Sequence, residues 1–327
     1  MDDVDWDRTV FALISPDALA RQLGTAVLDR MEAAGFVPVS WRALWHRPAD
    51  LDSFHGRNIT NAWSTYLYRL VDQLFAFGPA VALLLADDRP ESGQTCHQRL
   101  RLAKGSSNPD QAGPGTIRGD LQSINVMLAL MHSADTAGDS ASESAVFFGQ
   151  GGYPRSSDAG ELRSLLGLLQ VARPAERRGY EQVLAGLRAR SLAAAWDELP
   201  RPVRKTAAAM LETAGTAGTG GTGGTGGTGE IAGTGGTGDT GGTSQTELAS
   251  PGSAERLAGL LPAEHPLADV LLSDFTPDSP GPDLHRVALA LRMYGTNIDP
   301  WESLVLATSR HFWPRGRAPR QRPPSGH

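Results

Sequence analysis

The chain has 327 residues, a formal net charge of −6 at neutral pH and 40% hydrophobic residues. This length predicts two domains, and this composition is ample for globular cores. The acidic balance argues against a general nucleic-acid-binding protein, which would present a basic face. No apolar run approaches the roughly 20 residues needed to span a bilayer, so we expect no membrane segment.

The cysteine content and the N-terminus predict a cellular compartment. Cys96 is the single cysteine and cannot form an internal disulfide. The first residues, MDDVDWD, lack the basic start and apolar core of a secretory signal. We therefore expect a reducing, cytoplasmic location.

The first third of the chain alternates between strand and helix patterns. Apolar runs predict strands at residues 10–14, 37–44 and 80–85, and helical periodicity predicts helices at 18–34, 66–77 and 90–104. Pro38 is tolerated only near the start of its strand or on a sheet edge. With a further strand after the next loop, this order predicts an α+β, ferredoxin-like (split βαβ) antiparallel sheet covered by helices on one face.

A loop rich in glycine and proline follows at residues 105–120. Its four glycines and two prolines are expected to forbid both helix and strand. Such a loop can fold tightly and expose backbone N–H groups. Arg118 lies within the loop and Arg101 lies on the helix before it, so these residues predict an anion site.

An imidazole and a carboxylate come next. His132 follows a short apolar run at 126–131, and Glu143 precedes the apolar end of a polar stretch. A histidine at a strand end can simply be satisfied by a backbone carbonyl. Two arginines, a phosphate-suited loop and a carboxylate favour the alternative, because an imidazole accepts a phosphoryl group only where nearby cations offset its charge.

The remaining residues have a different character. Three helices are predicted between 159 and 212, and four short amphipathic helices at 254–261, 267–275, 284–294 and 300–312. Between them, the Thr-Gly-Gly tract at 214–246 predicts a flexible spacer. A phosphate-binding P-loop is the alternative, but the lysine and preceding strand that it requires are absent. His285 and His311 have no second ligand at metal spacing, which favours packed or exposed histidines.

These patterns divide the chain into five predicted segments. They are an α+β domain at 1–150, a helical segment at 151–213, a Gly/Thr-rich flexible linker at 214–252, a helical segment at 253–313 and a disordered tail at 314–327.

The glycine-rich loop and the histidine segment carry a family resemblance. NPDQAGPGTIRGD (108–120), followed by MHSADTAGDSASESAVFF (131–148), resembles the active-site segment of nucleoside diphosphate kinases. The N-terminal stretch from Arg8 through ISPDALARQL is similar to that family's first strand, KPDA turn and first helix, and FGPAVALLL (77–85) is similar to a later strand. The resemblance covers about residues 7–149, and residues 150–327 resemble no family that we can name.

The resemblance implies ping-pong transfer of a γ-phosphoryl group from a nucleoside triphosphate such as ATP to a nucleoside diphosphate, with Mg²⁺ carried by the nucleotide. The family's functional positions fall on His132 as nucleophile, Glu143 as its orienting carboxylate, Arg101, Ser107 and Arg118 as phosphate-binding residues, and Tyr68 near the base-stacking aromatic. The resemblance also implies a homo-oligomer formed through the N-terminal domain. The C-terminal helices are expected to bind a protein partner of unknown identity.

Three positions depart from the family pattern. Ser15 replaces the lysine of the KPDA turn, Ala129 replaces an asparagine, and Ala134 replaces the serine two residues after the histidine. The stretch from Arg118 to His132 is also one residue longer than usual. The sequence therefore predicts a phosphotransferase with weakened activity, and leaves open a catalytically impaired nucleotide-binding, regulatory or scaffold protein that acts through its helical extension.

Overall fold

The structure is a computed structural model, and it describes residues 4–45, 65–89, 93–149, 153, 158–172, 175–212, 246–250, 252–279 and 281–317. Among the described helices, none combines the length and the apolar character that crossing a membrane requires.

A four-stranded antiparallel sheet forms the centre of the first part of the chain. Its strands are β1 (Thr9–Ile14), β2 (Phe36–Leu44), β3 (Ala80–Asp87) and β4 (Met131–Ser133), in the spatial order β2-β3-β1-β4. Every pairing is antiparallel. The ferredoxin-like prediction is confirmed by this order.

Helices connect and follow these strands. They are α1 (Pro16–Ala20), α2 (Gly24–Ala33), α3 (Thr65–Phe77), α4 (Cys96–Lys104), α5 (Ile117–Asp120), α6 (Ala137–Phe148) and α7 (Ala159–Val171). Leu162 and Leu166 of α7 join the same hydrophobic core as Val27 and Met31 of α2. The core of this domain therefore includes a helix beyond the resemblance.

Both faces of strand β1 are buried, although the sequence predicted helices on only one face of the sheet. Successive side chains of a strand point to opposite faces. Val10 and Ala12 belong to the core that α2 and α4 cover, whereas the ring of Phe11 stacks on Phe147 of α6 at 5.2 Å. The second face is thus covered by α6, which explains why all six residues of β1 are buried.

Local backbone geometry explains one difference from the predicted elements and confirms one expectation. The helix predicted at 18–34 is divided into α1 and α2, because Gln22 adopts a left-handed conformation with φ of 58°. Pro38 lies at a register shift in β2, which is an edge strand, as the missing N–H of proline demands.

The glycine-rich loop is more regular than predicted. It contains a 3₁₀ turn at Pro109–Gln111 and the single helical turn α5. The hydroxyl of Thr116 caps that turn by accepting from the N–H of Gly119 (3.1 Å). The expectation that this loop excludes helix was wrong, because one capped turn tolerates a glycine.

Contacts divide the chain into two compact units. The first comprises the described residues of Met1–Arg177, Thr276–Asp278 and Pro300–His327, and the second those of Arg178–Phe275 and Ser279–Asp299. The helices of the second unit are α8 (Tyr180–Ala194), α9 (Arg201–Glu212), α10 (Thr246–Ala249), α11 (Ser253–Leu257), α12 (Ala268–Leu272) and α13 (Leu284–Met293). Helix α14 (Pro300–Ser309) belongs to the first unit.

Two stretches differ from the predicted segments. Helix α10 lies within the segment predicted as a flexible linker, and residues 214–245 and 251 of that segment lie outside the described residues. Residues 314–317 of the predicted tail are hydrogen-bonded to the first unit through Arg315 and Gly316. The remaining tail, 318–327, lies outside the described residues.

Candidate active site

The sheet register determines where His132 lies. In the pairing of β4 with β1, His132 is opposite Leu13. Paired residues share a face, and this face is the one that α6 covers. Glu143 lies on α6, so strand and helix bring the imidazole and the carboxylate together.

His132 and Glu143 form a hydrogen bond. The distance from His132 Nε2 to Glu143 Oε2 is 2.8 Å, and the side chains are 38% and 20% exposed. Because an ionised carboxylate only accepts, Nε2 carries the proton and donates. The carboxylate therefore fixes the tautomer and the direction of the ring, and any attack on a substrate falls to Nδ1.

A strained residue precedes this strand. Leu130 is fully buried with a φ of 70°, a conformation that costs a non-glycine residue about 1 to 2 kcal/mol. Its N–H donates to Asp17 Oδ2 and its carbonyl accepts from the N–H of Ser15, both at 3.0 Å. The turn after β1 thus holds the backbone that positions His132.

Asp17 is fully buried, and burial raises the pKa of its carboxyl group to about 6. The nearby Arg21 and the Leu130 N–H oppose that rise. Burying a charge costs free energy unless another interaction compensates for it. Here the Asp17 carboxylate holds the strained turn that contains Leu130.

Arg118 is buried and is held by backbone carbonyls. Its Nε donates to the Ala129 carbonyl (3.2 Å), and its terminal nitrogens donate to the carbonyls of Met131 (2.8 Å) and Gly105 (3.2 Å). Burial lowers the pKa of Arg118 to about 10, so the group stays cationic at neutral pH. Three of its five N–H donors therefore join the glycine-rich loop to the strand that bears His132.

One cavity of about 220 Å³ brings most of the predicted residues together. Its polar lining includes His132, Glu143, Arg118, Ser107 and Ser15. Its apolar lining includes Val71, Leu74, Phe75, Met127, Ala129 and Phe312. A histidine, a guanidinium and an apolar wall in one cavity suit a ligand with an anionic end and an apolar end.

Two predicted residues are not in this lining. Arg101 is exposed on α4, and it lies near enough to Lys104 to lower the pKa of that amine. Tyr68 belongs to α3, but its side chain lies outside the described residues. The assignment of all six site residues stays a prediction.

Sequence reasoning missed Lys104, a buried cation next to this site. Its Nζ donates to the hydroxyl (2.7 Å) and the carbonyl (3.3 Å) of Ser133, the residue after His132. Burial, together with the nearby Arg118 guanidinium, lowers the pKa of Lys104 to about 8. Lys104 is one of only two lysines in the sequence, and this rarity was the available signal.

The described residues contain no group of three or more His, Cys, Asp or Glu side chains that could hold a metal ion. Proteins usually bind Mg²⁺ through a few carboxylates together with the phosphates of a substrate, and rarely through a site made of protein ligands alone.

Comparison with known proteins gives the family. A sequence model described as "Nucleoside diphosphate kinase" matches residues 7–152. The nucleoside diphosphate kinase of Desulfovibrio desulfuricans is 31% identical over 142 residues, which are 43% of this chain and 94% of that protein. That of Geotalea daltonii is 30% identical over 142 residues, 42% of this chain and 93% of its own. That of Archaeoglobus fulgidus is 28% identical over 138 residues, 42% of this chain and 84% of its own.

These relatives match the chain over nearly their whole length and confirm the resemblance of its N-terminal part. The chain belongs to the nucleoside diphosphate kinase family, as a diverged member with more than half of its residues outside the family region.

Proposed function

We propose that this protein moves the γ-phosphoryl group of a nucleoside triphosphate to a nucleoside diphosphate through a phosphohistidine at His132. The supporting observation is the hydrogen bond from His132 Nε2 to Glu143 at the wall of a cavity that Arg118 and Ser107 also line. A histidine that is oriented by a carboxylate beside a cation is the arrangement that nucleophilic catalysis on phosphorus requires.

In the first step, Nδ1 of His132 attacks the γ-phosphorus, the N–P bond forms, and the bond to the bridging oxygen breaks. The nucleoside diphosphate departs with that electron pair. A terminal oxygen of a second nucleoside diphosphate then attacks the same phosphorus and releases the imidazole. Glu143 stabilises the positive charge that develops on the ring.

Arg118 and Ser107 are the proposed phosphate contacts within the cavity. Arg118 has two N–H donors beyond the three that bind carbonyls, and these can reach phosphate oxygens. Arg101 would bind phosphate from the exposed side of α4. Mg²⁺ on the nucleotide would neutralise part of the phosphate charge.

A second candidate function is nucleotide binding without turnover. Ser15 and Ala129 line the cavity but supply neither the cation nor the amide of the family pattern. Losing one such contact commonly costs about 10²- to 10³-fold in rate. In this case the protein would regulate or scaffold a partner through its helical extension.

The two candidates are separated by incubation with γ-labelled ATP and Mg²⁺, comparing the wild type with His132→Ala. Acid-labile, base-stable label in the wild type alone is the expected result, together with transfer of that label to added nucleoside diphosphate. Stabilisation of both proteins by ATP without label would support the second candidate instead.

We further propose that the protein acts in the cytoplasm as a homo-oligomer formed through its N-terminal domain. The proposal rests on the family membership.

A further inference from the structure

The C-terminal segment, residues 300–317, is part of the first unit. Its helix α14 packs on α3, and the ring of Trp301 lies 5.3 Å from that of Phe77. Trp301 is only 2% exposed, which makes it one of the largest buried side chains of the chain. Burial of an aromatic ring of this size gives the segment a firm attachment.

Hydrogen bonds fix the end of α14 to the stretch before β4. The Asn125 side chain, fully buried, donates to the hydroxyls of Thr308 (2.8 Å) and Ser309 (3.4 Å). Its oxygen accepts from the N–H groups of Met127 (3.0 Å) and Leu128 (2.9 Å). Asn125 therefore couples the C-terminal segment to the backbone that leads to His132.

A second attachment joins the C-terminal segment, six residues after Ser309, to the region of the glycine-rich loop. The Arg315 guanidinium donates to the carbonyls of Arg118 (3.0 Å) and Ser123 (3.3 Å), and its backbone N–H donates to Ile124 (2.9 Å). The N–H of Gly316 donates to Asp110 Oδ1 (2.8 Å). The segment is thus hydrogen-bonded to the glycine-rich loop and to the residues that follow it.

Phe312 lies between these two attachments and lines the cavity together with His132, Arg118 and Phe75. Its N–H continues α14 by bonding to the Thr308 carbonyl (2.9 Å). The cavity holds about 220 Å³, which is below the roughly 300 to 1,000 Å³ usual for ligand sites. Any base that enters must therefore contact its aromatic and aliphatic walls.

We propose that Phe312 is a base-binding residue of the nucleotide site, whose ring forms a stacking surface for the nucleobase. The inference rests on the proposed function, which places the phosphates at His132 and therefore the base along the apolar wall. Aromatic rings stack on every base because each base has a π face. Phe312 lies far beyond the region that matches the family, which ends at residue 152, whereas the other apolar residues of this wall lie within it.

The test is calorimetric titration of the full-length protein with ATP, GTP and inorganic tripolyphosphate, which has the phosphates without a base. In Phe312→Ala the dissociation constants for ATP and GTP should rise roughly tenfold. The constant for tripolyphosphate should stay the same, and Phe312→Trp should retain nucleotide affinity. Trp313→Ala is the matched control, because this neighbouring aromatic does not line the cavity, and it should bind nucleotides like the wild type.

Three results would overturn the inference while leaving the proposed function intact. Unchanged nucleotide affinity in Phe312→Ala would show that the ring does not contact the base. Tighter binding would show that the ring blocks the cavity, and an equal loss for tripolyphosphate would show that it only supports the phosphate site. A wild type that binds neither nucleotide would overturn the proposed function and this inference together.

Discussion

Replacing Glu143 with glutamine tests the chemistry at the centre of the cavity. The substitution keeps a group that can accept from His132 Nε2 at the observed 2.8 Å, but it removes the negative charge. In the transition state the imidazole becomes positive, so the lost interaction is a charge-assisted hydrogen bond, which is worth about 1.5 to 3 kcal/mol.

The partial exposure of this pair decides which end of that range applies. The His132 side chain is 38% and the Glu143 side chain 20% exposed, so solvent screens part of the attraction. About 1.5 to 2 kcal/mol remains, which corresponds to a roughly 10- to 30-fold slower formation of phosphohistidine. Glu143→Ala should be slower again, because it also removes the group that orients the ring.

The assay is rapid-quench measurement of single-turnover labelling from γ-labelled ATP at saturating nucleotide. Glu161→Gln is the charge-matched control, because Glu161 is an exposed carboxylate on α7, and this variant should label at the wild-type rate. A Glu143→Gln rate within twofold of the wild type would refute the reasoning. So would a rate as low as that of His132→Ala.

Three further perturbations address the surroundings of the site. Ser15→Lys restores a cation to the cavity wall and should raise the labelling rate by about 10²-fold, whereas Ser15→Met should not. Because the folded-state pKa of Asp17 is raised to about 6, its contribution to stability is complete below pH 4 and lost as pH rises through 6. Asp17→Asn should remove this loss of about 3 kcal/mol, measured by urea unfolding at several pH values. Gly119→Ala places a Cβ at 2.1 Å from the Gly113 carbonyl and should destabilise the fold by about 1 to 3 kcal/mol, whereas Gly113→Ala, whose Cβ meets nothing within 4 Å, should not.

Each of these three predictions has a result that would contradict it. Equal rates for the lysine and methionine variants at residue 15 would show that a missing cation does not limit the reaction. A pH dependence of unfolding that is the same in Asp17→Asn and the wild type would show that this carboxyl does not titrate as the structure implies. Equal thermal midpoints for the two alanine variants of the loop would show that the loop has room to shift.

The sheet could be predicted from sequence because local patterns determine it. Continuous apolar runs marked β1 and β3, which are buried along their length, and Pro38 correctly marked an edge strand. The stretch from 121 to 130 could not be predicted. Its conformation depends on the contact of Leu130 with Asp17, which lies 113 residues away in sequence.

The candidate site likewise combines residues that local motifs predict with a residue whose position depends on distant contacts. His132, Glu143, Arg118 and Ser107 were selected by motif, and the structure places them around one cavity. Phe312 has no such motif and lies at the end of the amphipathic helix predicted at 300–312. Its position depends on bonds such as that between Asn125 and Thr308, which are 183 residues apart, and no pattern in either stretch indicates the other.

The most direct test of the account is to identify the atom that carries the phosphoryl group. Because Glu143 holds Nε2, the account predicts that alkaline hydrolysis of protein labelled with γ-labelled ATP yields phosphohistidine substituted at Nδ1. A proteolytic digest of the same labelled protein should carry the label in the peptide that contains His132. Phosphate on Nε2, or on any other residue, would contradict it.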